Sequence, residues 1–299
     1  MRAWFCDTYQ FELPPGHRFP ISKYRALREL LLAEGVLSPS DLEESAPIGR
    51  VELGAAHDGE YLAAVFSGAS GYDARRVGLP WSEGLVRRSC ASVSGTVAAA
   101  RRALEDGIAG NLGGGTHHAF ADHGEGFCVF NDLAVAARLL QREGLIERAL
   151  IVDLDVHQGN GTAAIFADDP SVFTFSMHGA KNFPFRKQRS CLDVELADGC
   201  GDSEYLAHLA RHMPAILAAS APQLVFFQAG VDPLGADALG RLSLTRDGLL
   251  RRDRIVLEAA RAAGVPVVLT LGGGYARPIE LSVEAHAGTW VEARRIFGA

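Results

Sequence analysis

The sequence alternates between short apolar runs typical of buried strands and longer runs typical of amphipathic helices. The strand-like runs cover Ile108–Leu112, Ala149–Asp155, Ser171–Ser176, Gln223–Gln228 and Val265–Leu271. The helix-like runs cover Lys23–Glu34, Leu85–Asp106, Leu133–Glu143, Asp202–Ala219, Arg246–Ala263 and Glu280–Phe297. Uniformly apolar strands are buried on both faces, and alternation with helices favours a parallel sheet covered on both sides. The pattern predicts an α/β protein with three layers, α/β/α, around a mostly parallel sheet.

A polar, glycine-rich segment follows every strand-like run. In chain order these segments are GGGTHH, DLDVHQGNG, SMHG, AGVDPLG and GGGY. The carboxyl ends of parallel strands meet at one edge of the sheet, where open α/β sheets bind their ligands. We therefore expect all five segments to converge on one crevice, and the adjacent histidines His117 and His118 to face it.

The second segment carries three ionisable side chains at alternate positions, Asp153, Asp155 and His157. Residues two apart in a strand face the same side, so the three share one direction if the strand continues through them. Buried ionisable groups are costly unless they are paired or bind a metal. Asp155 and His157, with Asp232 from the AGVDPLG segment, would supply the three ligands of a catalytic zinc site with one open position. The alternative is a hydrogen-bonded loop with capping aspartates, in which Asp232 is a turn residue before proline.

A dinucleotide site is a weaker interpretation of the same region. Gly159–Ala164 matches the GxGxxA fingerprint, but a single match has little specificity. The next strand does not end in the required acidic residue, and Asp155 would repel a pyrophosphate. A nicotinamide cofactor is therefore not expected.

Composition and charge restrict the partners. The 299 residues are 48% hydrophobic and 22% charged, without a linker or a repeat, so one domain over residues 1–299 is predicted, with Gly68–Gly78 as a long loop. The net charge of −7 and the absence of a basic face argue against nucleic acid. A short basic cluster contains Lys181, Arg186, Lys187 and Arg189. It is interpreted as a solvated loop, or as a contact with a partner.

The cysteines and the apolar runs indicate the cellular compartment of the protein. The five cysteines show no metal-type pairing, and no apolar run approaches the length of a membrane span. The chain starts MRAWFCDTYQ, which has no apolar signal core. These features predict a cytoplasmic protein without a membrane span, and nothing in them indicates an oligomeric state.

Six motifs together resemble the histone deacetylase family. Between about His57 and Tyr275 they are GGGTHH, GFCVFND, VDLDVHQGNG, FSMH, QAGVDPL and LGGGY. That family includes acetylpolyamine amidohydrolases and shares its fold with arginase. The segment HDGEYL near Tyr61, Asn160 within the third motif and the short chain are most similar to the class IV branch. The resemblance implies an arginase/deacetylase-like fold.

The resemblance also implies the roles of the site residues. Asp155, His157 and Asp232 match the ligands of one zinc ion per chain, and His117 and His118 match the tandem histidines. Tyr275 matches the tyrosine that stabilises an oxyanion, and Asp153 matches the carboxylate that supports the first histidine. Asn160 stands where many relatives have a second aspartate, which is a departure. An amide can orient His118, but it does not stabilise an imidazolium as a carboxylate does.

Two further sites are implied by the resemblance alone. Gly126, Phe127, Phe183 and Leu239 match the walls and rim of a tunnel for the lysine side chain. Asp153, Asp155, His157, Ser176 and Met177 match a structural potassium site.

The implied reaction is removal of an acetyl or longer fatty acyl group from a lysine side-chain amine in a protein or peptide. His118 acts as general base, with His117 as its electrostatic partner. An acetylated polyamine or another small acylated amine remains an alternative substrate. A ureohydrolase would need an aspartate at position 159, where this chain has Gly159. A non-catalytic acyl-lysine scaffold is less favoured, because all the matched catalytic residues are present.

Overall fold

The computed structural model describes residues 1–68 and 71–298. Within these residues, eight strands form one sheet in which every pair is parallel. The strands are β1 Arg2–Phe5, β2 Leu42–Glu44, β3 Ile108–Asn111, β4 Ala149–Asp153, β5 Val172–Gly179, β6 Leu192–Leu196, β7 Leu224–Gln228 and β8 Val267–Thr270. Their order across the sheet is β2-β1-β3-β8-β7-β4-β5-β6.

The helices of the described residues lie between the strands. They are α1 Ser22–Ala33, α2 Arg50–Leu53, α3 Gly59–Ser67, α4 Ala74–Val77, α5 Glu83–Asp106, α6 Asp132–Arg142, α7 Asn160–Ile165, α8 Asp202–Ser220, α9 Arg246–Ala262 and α10 Glu280–Phe297, with a 3₁₀ turn at Pro39–Asp41. The six predicted helices all form, with ends within two residues of the prediction. The predicted loop Gly68–Gly78 contains the helical turn α4, and residues 69 and 70 lie outside the described residues.

The sheet separates two apolar cores. Leu150 and Val152 of β4 pack in one core with residues of α1, α8, α9 and α10. Ala149 and Ile151, which alternate with them, pack in the other core with residues of α5 and α6. Alternate side chains of a strand face opposite sides, so helices cover both faces of the sheet. The predicted three-layer α/β/α architecture is confirmed, and the sheet is wholly parallel.

Strand β4 ends two residues earlier than predicted, at Asp153. The reason is local hydrogen bonding. The carboxylate of Asp153 accepts a hydrogen bond from the N–H of Asp155 at 3.2 Å, and the carboxylate of Asp155 accepts one from the N–H of His157 at 3.0 Å. Short acidic side chains that bind the backbone two residues ahead turn the chain out of the strand. Asp155 and His157 therefore reach the crevice from a bend and not from a continued strand.

Candidate active site

Three predicted ligands meet at the carboxyl edge of the sheet. Nδ1 of His157 lies 3.0 Å from Oδ1 of Asp155 and 3.0 Å from Oδ2 of Asp232. One ligand atom from each residue lies within 4.8 Å of the other two, and all three residues are buried. The backbone holds the carboxylates from behind, because the N–H of Val156 donates to Asp232 and the N–H of Gly273 donates to Asp155. The oxygens and the imidazole nitrogen that face one another are the donor set of a divalent transition metal.

The electrostatics of the three ligands favour a bound cation. Burial, together with the neighbouring charge of Asp155, raises the pKa of Asp232 to about 7. Burial opposes a charge on His157, but hydrogen bonds to both carboxylates outweigh it and raise the pKa of His157 to about 10. Two carboxylates so close together in a buried site need a positive charge between them. Asp155, His157 and Asp232 therefore form a buried group that could hold a metal ion, and their assignment as zinc ligands stays a prediction.

The two tandem histidines have different partners. Their rings lie 4.1 Å apart, and both residues are buried. Nδ1 of His117 lies 2.7 Å from Oδ2 of Asp153. Burial opposes the imidazolium, but the charges of Asp153 and Asp155 outweigh it and raise the pKa of His117 to about 9. His117 is therefore the cationic member of the pair.

His118 is held by an amide. Its Nδ1 lies 2.7 Å from Oδ1 of Asn160, while Nδ2 of Asn160 donates to Oε2 of Glu125 at 3.0 Å. A carbonyl oxygen only accepts, so His118 carries its proton on Nδ1 and leaves Nε2 as an acceptor. Burial and the charges of His117 and His157 lower the pKa of His118 well below its usual value. Glu125, which fixes the orientation of the amide, was not predicted from the sequence.

The predicted tunnel residues line one cavity of about 370 Å³. Phe127, Phe183 and Leu239 share it with His118 and Tyr275, together with Gly126. The ring of Phe183 lies 5.0 Å from that of His118.

Gly126 is in close contact with two other residues of this wall, His118 and Phe183. It has φ +54°, and a Cβ at this position would lie 2.6 Å from Cδ2 of His118 and 2.9 Å from Phe183. Only glycine combines that backbone conformation with so close an approach to the His118 ring.

Tyr275 lies beside the predicted metal ligands, on the loop after β8. Its ring is 6.5 Å from that of His157 and 6.0 Å from that of Phe127. Burial, followed by the charges of Asp155 and Asp232, raises the pKa of Tyr275 well above its usual value. The phenol therefore keeps its proton and can donate a hydrogen bond.

Two residues that sequence reasoning missed hold the Tyr275 loop. Nζ of Lys23, on α1, donates to the carbonyl oxygens of Gly272 and Gly274 at 3.0 and 3.4 Å. The carboxylate of Asp237 accepts from the N–H of Tyr275 at 2.6 Å. It also accepts from the N–H groups of Leu239 and Gly240 at 2.8 and 2.9 Å.

The predicted potassium ligands lie on two neighbouring strands and the bend after them. Asp153 of β4 is paired in register with Ser176 of β5, and Met177 is the next residue of that strand. Ser176 and Met177 are both buried. The potassium site stays a prediction.

Comparison with known proteins identifies the family. The family model described as "Histone deacetylase domain" matches residues 17–289. The fold and the site thus define a hydrolase with the architecture of deacetylases. The chain belongs to the histone deacetylase family, as the resemblance of its motifs indicated.

Individual relatives agree with this assignment. An uncharacterized protein of Picosynechococcus is 49% identical over 290 residues, 97% of each chain. Histone deacetylase 2 of Arabidopsis thaliana is 33% identical over 282 residues, which cover 90% of this chain and 73% of that protein. Among solved structures, an HDAC homolog complexed with SAHA has a TM-score of 0.84 and 25% identity, over 99% of this chain and 84% of the other.

Proposed function

We propose that the protein is a zinc-dependent amidohydrolase that removes acyl groups from the side-chain amine of lysine in proteins or peptides. The observation that carries this proposal is the meeting of three groups at one end of one cavity. These are the ligand set Asp155, His157 and Asp232, the differently held His117 and His118, and Tyr275.

Asp155, His157 and Asp232 are the residues that would hold the zinc ion. When bound there, zinc would polarise the acyl carbonyl and lower the pKa of a water molecule. The N–H groups of Val156 and Gly273 fix the two carboxylates. Such outer partners keep ligands in place without rearrangement.

His118 is the general base of the proposed reaction. Asn160 places its proton on Nδ1, so Nε2 is free to accept a proton inside the cavity. The same nitrogen can then return the proton to the leaving amine. His117, held by Asp153, contributes a fixed positive charge 4.1 Å from the ring that moves the proton.

The Tyr275 hydroxyl stabilises the negative oxygen that develops on the substrate carbonyl. Its raised pKa keeps the phenol protonated, as an oxyanion donor must be. Lys23 and Asp237 hold the loop before the reaction, so no binding energy is spent on ordering it.

The tunnel suits an unbranched amine stem. Phe127 and Phe183 offer aromatic walls on the path to His118. Aromatic faces pack well against methylenes, of which a lysine side chain has four. The proposed substrates carry either an acetyl group or a longer fatty acyl group on this amine.

Gly159 argues against a ureohydrolase with two metals, because that activity would need an aspartate at this position. A Cβ on Gly159 would lie 2.3 Å from Oδ2 of Asp153 and 3.1 Å from Nδ1 of His117. No aspartate fits there while Asp153 supports His117. A scaffold without activity is disfavoured because every side chain of the proposed mechanism is in place.

A cytoplasmic location is part of the proposal. The five cysteines are free, which suits a reducing compartment. Among the described residues, no helix combines the length and the apolar character needed to cross a membrane.

The test uses purified, zinc-loaded protein with peptides that carry acetyl, octanoyl or myristoyl lysine, and with acetylated spermidine. We expect peptide hydrolysis, one zinc per chain, and a loss of roughly 10²-fold or more in His118→Ala and Tyr275→Phe. His208→Ala, on the surface of α8, is the control. Equal activity of the two site variants and the parent would refute the mechanism, and cleavage of acetylated spermidine alone would change the substrate class.

A further inference from the structure

The mouth of the tunnel is strongly basic in a chain whose net charge is −7. The cavity that leads to His118 is lined by five cationic side chains, those of Arg18, Arg75, Arg76, Lys181 and Arg241. Among the described residues, no aspartate or glutamate lines this cavity. All five cations are exposed, so they meet a substrate before it enters the tunnel.

The backbone of Arg75 and Arg76 is hydrogen-bonded to the tunnel wall. They lie on α4, whose first turn is capped by Asp73 through the N–H groups of both arginines. The carbonyl oxygen of Arg76 accepts from the N–H of Gly126 at 3.2 Å, and that of Val77 accepts from the N–H of Phe127 at 2.7 Å. The arginine turn is thereby hydrogen-bonded directly to the tunnel wall.

Two other cations, Arg18 and Lys181, are each next to a residue that contacts the tunnel wall. Arg18 follows His17, whose Nε2 lies 2.9 Å from the carbonyl oxygen of Gly78 and whose ring is 6.0 Å from that of Phe127. The amide of Asn182, next to Lys181, donates to the carbonyl oxygen of Leu239 at 2.8 Å. The chain at four of the five cations is therefore held at the tunnel wall, and the exposed side chains carry their charge at the mouth.

Two carboxylates, Asp198 and Asp73, lie near the cations and offset only part of their charge, because the cavity is lined by five cations. Asp198 lies 3.8 Å from Lys181 and 3.3 Å from Arg241. Asp73 is engaged with the backbone of α4 and lies beside its arginines. Arg18, Arg75 and Arg76 form no side-chain ion pair with any residue of the ranges 1–68 and 71–298.

We propose that the mouth selects acylated amines whose neighbouring groups carry carboxylates, such as an acyl-lysine flanked by aspartate or glutamate. This inference rests on the proposed amide hydrolysis and specifies its substrate class. Phe185, which is 86% exposed and lines the same cavity, supplies an apolar contact between the charges.

Complementary charge at the tunnel mouth raises the rate at which substrates associate and determines which substrates are preferred. A cleft lined by one sign of charge concentrates ligands of the opposite sign, and like charges reject the wrong partner. Acetylated polyamines and lysine-rich tails carry positive charge close to the scissile amide, so this mouth disfavours both. The selectivity is screened by salt, because the cations are exposed.

The experiment compares three acyl-lysine peptides that differ only in flanking glutamate, serine or lysine residues. We expect the kcat/KM of the acidic peptide to exceed that of the basic one roughly tenfold or more at low salt, with a smaller ratio at 0.5 M salt, on the order of the effects of fixed charge. In Arg75→Glu/Arg76→Glu the ratio is expected to fall to about one or to invert. Arg142→Glu/Arg251→Glu, on exposed positions of α6 and α9, changes the net charge equally and is expected to keep the ratio.

The carboxylate could belong to a flanking side chain of a peptide or to a small metabolite. A second pair of substrates, free Nε-acetyl-lysine and its α-amide, distinguishes the two. A preference for the free acid, without a preference among peptides, would support the mouth and assign it to a small metabolite. Equal kcat/KM for all charges, or an unchanged ratio in Arg75→Glu/Arg76→Glu, would overturn the inference while leaving the amidohydrolase intact.

If no peptide is hydrolysed, the charge selection can still be tested by measuring peptide binding. Fluorescence anisotropy of the labelled acidic and basic peptides with the His118→Ala protein reports selection without turnover. Tighter binding of the acidic peptide without hydrolysis by the parent protein would support the mouth and refute the proposed reaction. Equal binding would refute the charge selection.

Discussion

At the residue scale, His118 depends on an amide, and the amide depends on Glu125. Asn160 offers its oxygen to His118 and its nitrogen to Glu125, so each atom has one suitable partner. The three residues fix the tautomer without adding a negative charge to the histidine.

Asn160→Asp would replace this arrangement by a carboxylate next to Glu125. We expect the new carboxylate to stabilise the imidazolium form of His118, because an adjacent negative charge raises the pKa of a histidine. The neutral base would then exist only at higher pH, and the acidic limb of the pH profile of kcat/KM would move upward. The double variant Asn160→Asp/Glu125→Gln lacks the repulsion between the two carboxylates and is compared with the single variant. An unchanged profile in both proteins would show that Asn160 does not control His118.

Gly126→Ala tests the close approach in the tunnel wall. The added Cβ would lie 2.6 Å from the His118 ring, at a φ of +54°. We expect a loss of activity of roughly tenfold or more, since small displacements of a catalytic group are costly. Gly199→Ala is the control, because Gly199 has φ +79° and nothing within 4 Å of the added atom. Both variants carry the backbone strain, so equal activity in a peptide hydrolysis assay would contradict the steric argument.

At the element scale, helix α1 and the loop after β8 act together. Lys23 is buried on α1, and burial lowers its pKa to about 8, against the opposing charges of Asp232 and Asp155. Its ammonium group nevertheless has two backbone acceptors, Gly272 and Gly274. This contact links the amino-terminal helix to the loop that carries Tyr275.

Lys23→Met would remove the two hydrogen bonds while keeping much of the side-chain volume. We expect kcat to fall roughly tenfold with little change in KM, because the loop positions Tyr275 for the transition state and not for substrate binding. Lys23→Arg keeps the donors and is expected to retain more activity. A rise in KM alone would show that Lys23 acts on binding.

The elements differ in how well the sequence predicts them. The five predicted strands are the contiguous centre of the sheet, β3-β8-β7-β4-β5, where both faces are buried and the runs are apolar. The missed strands β1, β2 and β6 lie toward the edges, and β2 reads LEE and β6 reads LDVEL. Half-exposed edge strands do not need a continuous apolar run, so their pattern is weak.

At the scale of the whole molecule, buried neutral histidines couple stability to pH. His57 is buried, and its Nε2 accepts a hydrogen bond from the N–H of Asn131 at 2.9 Å. Burial lowers the pKa of His57 to about 4. Protonation would both charge the buried ring and remove the acceptor from the start of α6.

The sign of this effect follows from the direction of the pKa shift. Between pH 6.5 and about 4 the unfolded chain binds a proton that folded His57 excludes. Its contribution to the free energy of unfolding is therefore complete above pH 6.5 and is lost as the pH falls toward 4. The expected size is about 3 kcal/mol.

His57→Gln should flatten the acid side of the stability curve. Urea unfolding at pH 4.5 and pH 7 gives the two free energies of unfolding, and their difference should be smaller in His57→Gln than in the parent. His208→Gln, on α8, serves as the control and should keep the parent difference. The same difference in all three proteins would exclude His57 as a source of acid sensitivity.

The sequence alone determined the layer architecture, the central strands and the meeting of Asp155, His157 and Asp232. These follow from local periodicity and from the rule that parallel strands present their carboxyl ends at one edge. Only the tertiary structure revealed Glu125, Lys23 and Asp237. Lys23 and Gly272 are 249 residues apart, and Tyr275 and Asp237 are 38 apart.

The basic tunnel mouth is also a feature that only the tertiary structure revealed. Its cations come from helix α4 and from loops that are distant in the sequence, and they are scattered among a larger number of acidic residues. A local pattern records which residues share a strand or a helix. It does not record which distant side chains meet, because that depends on how the whole chain packs around the sheet.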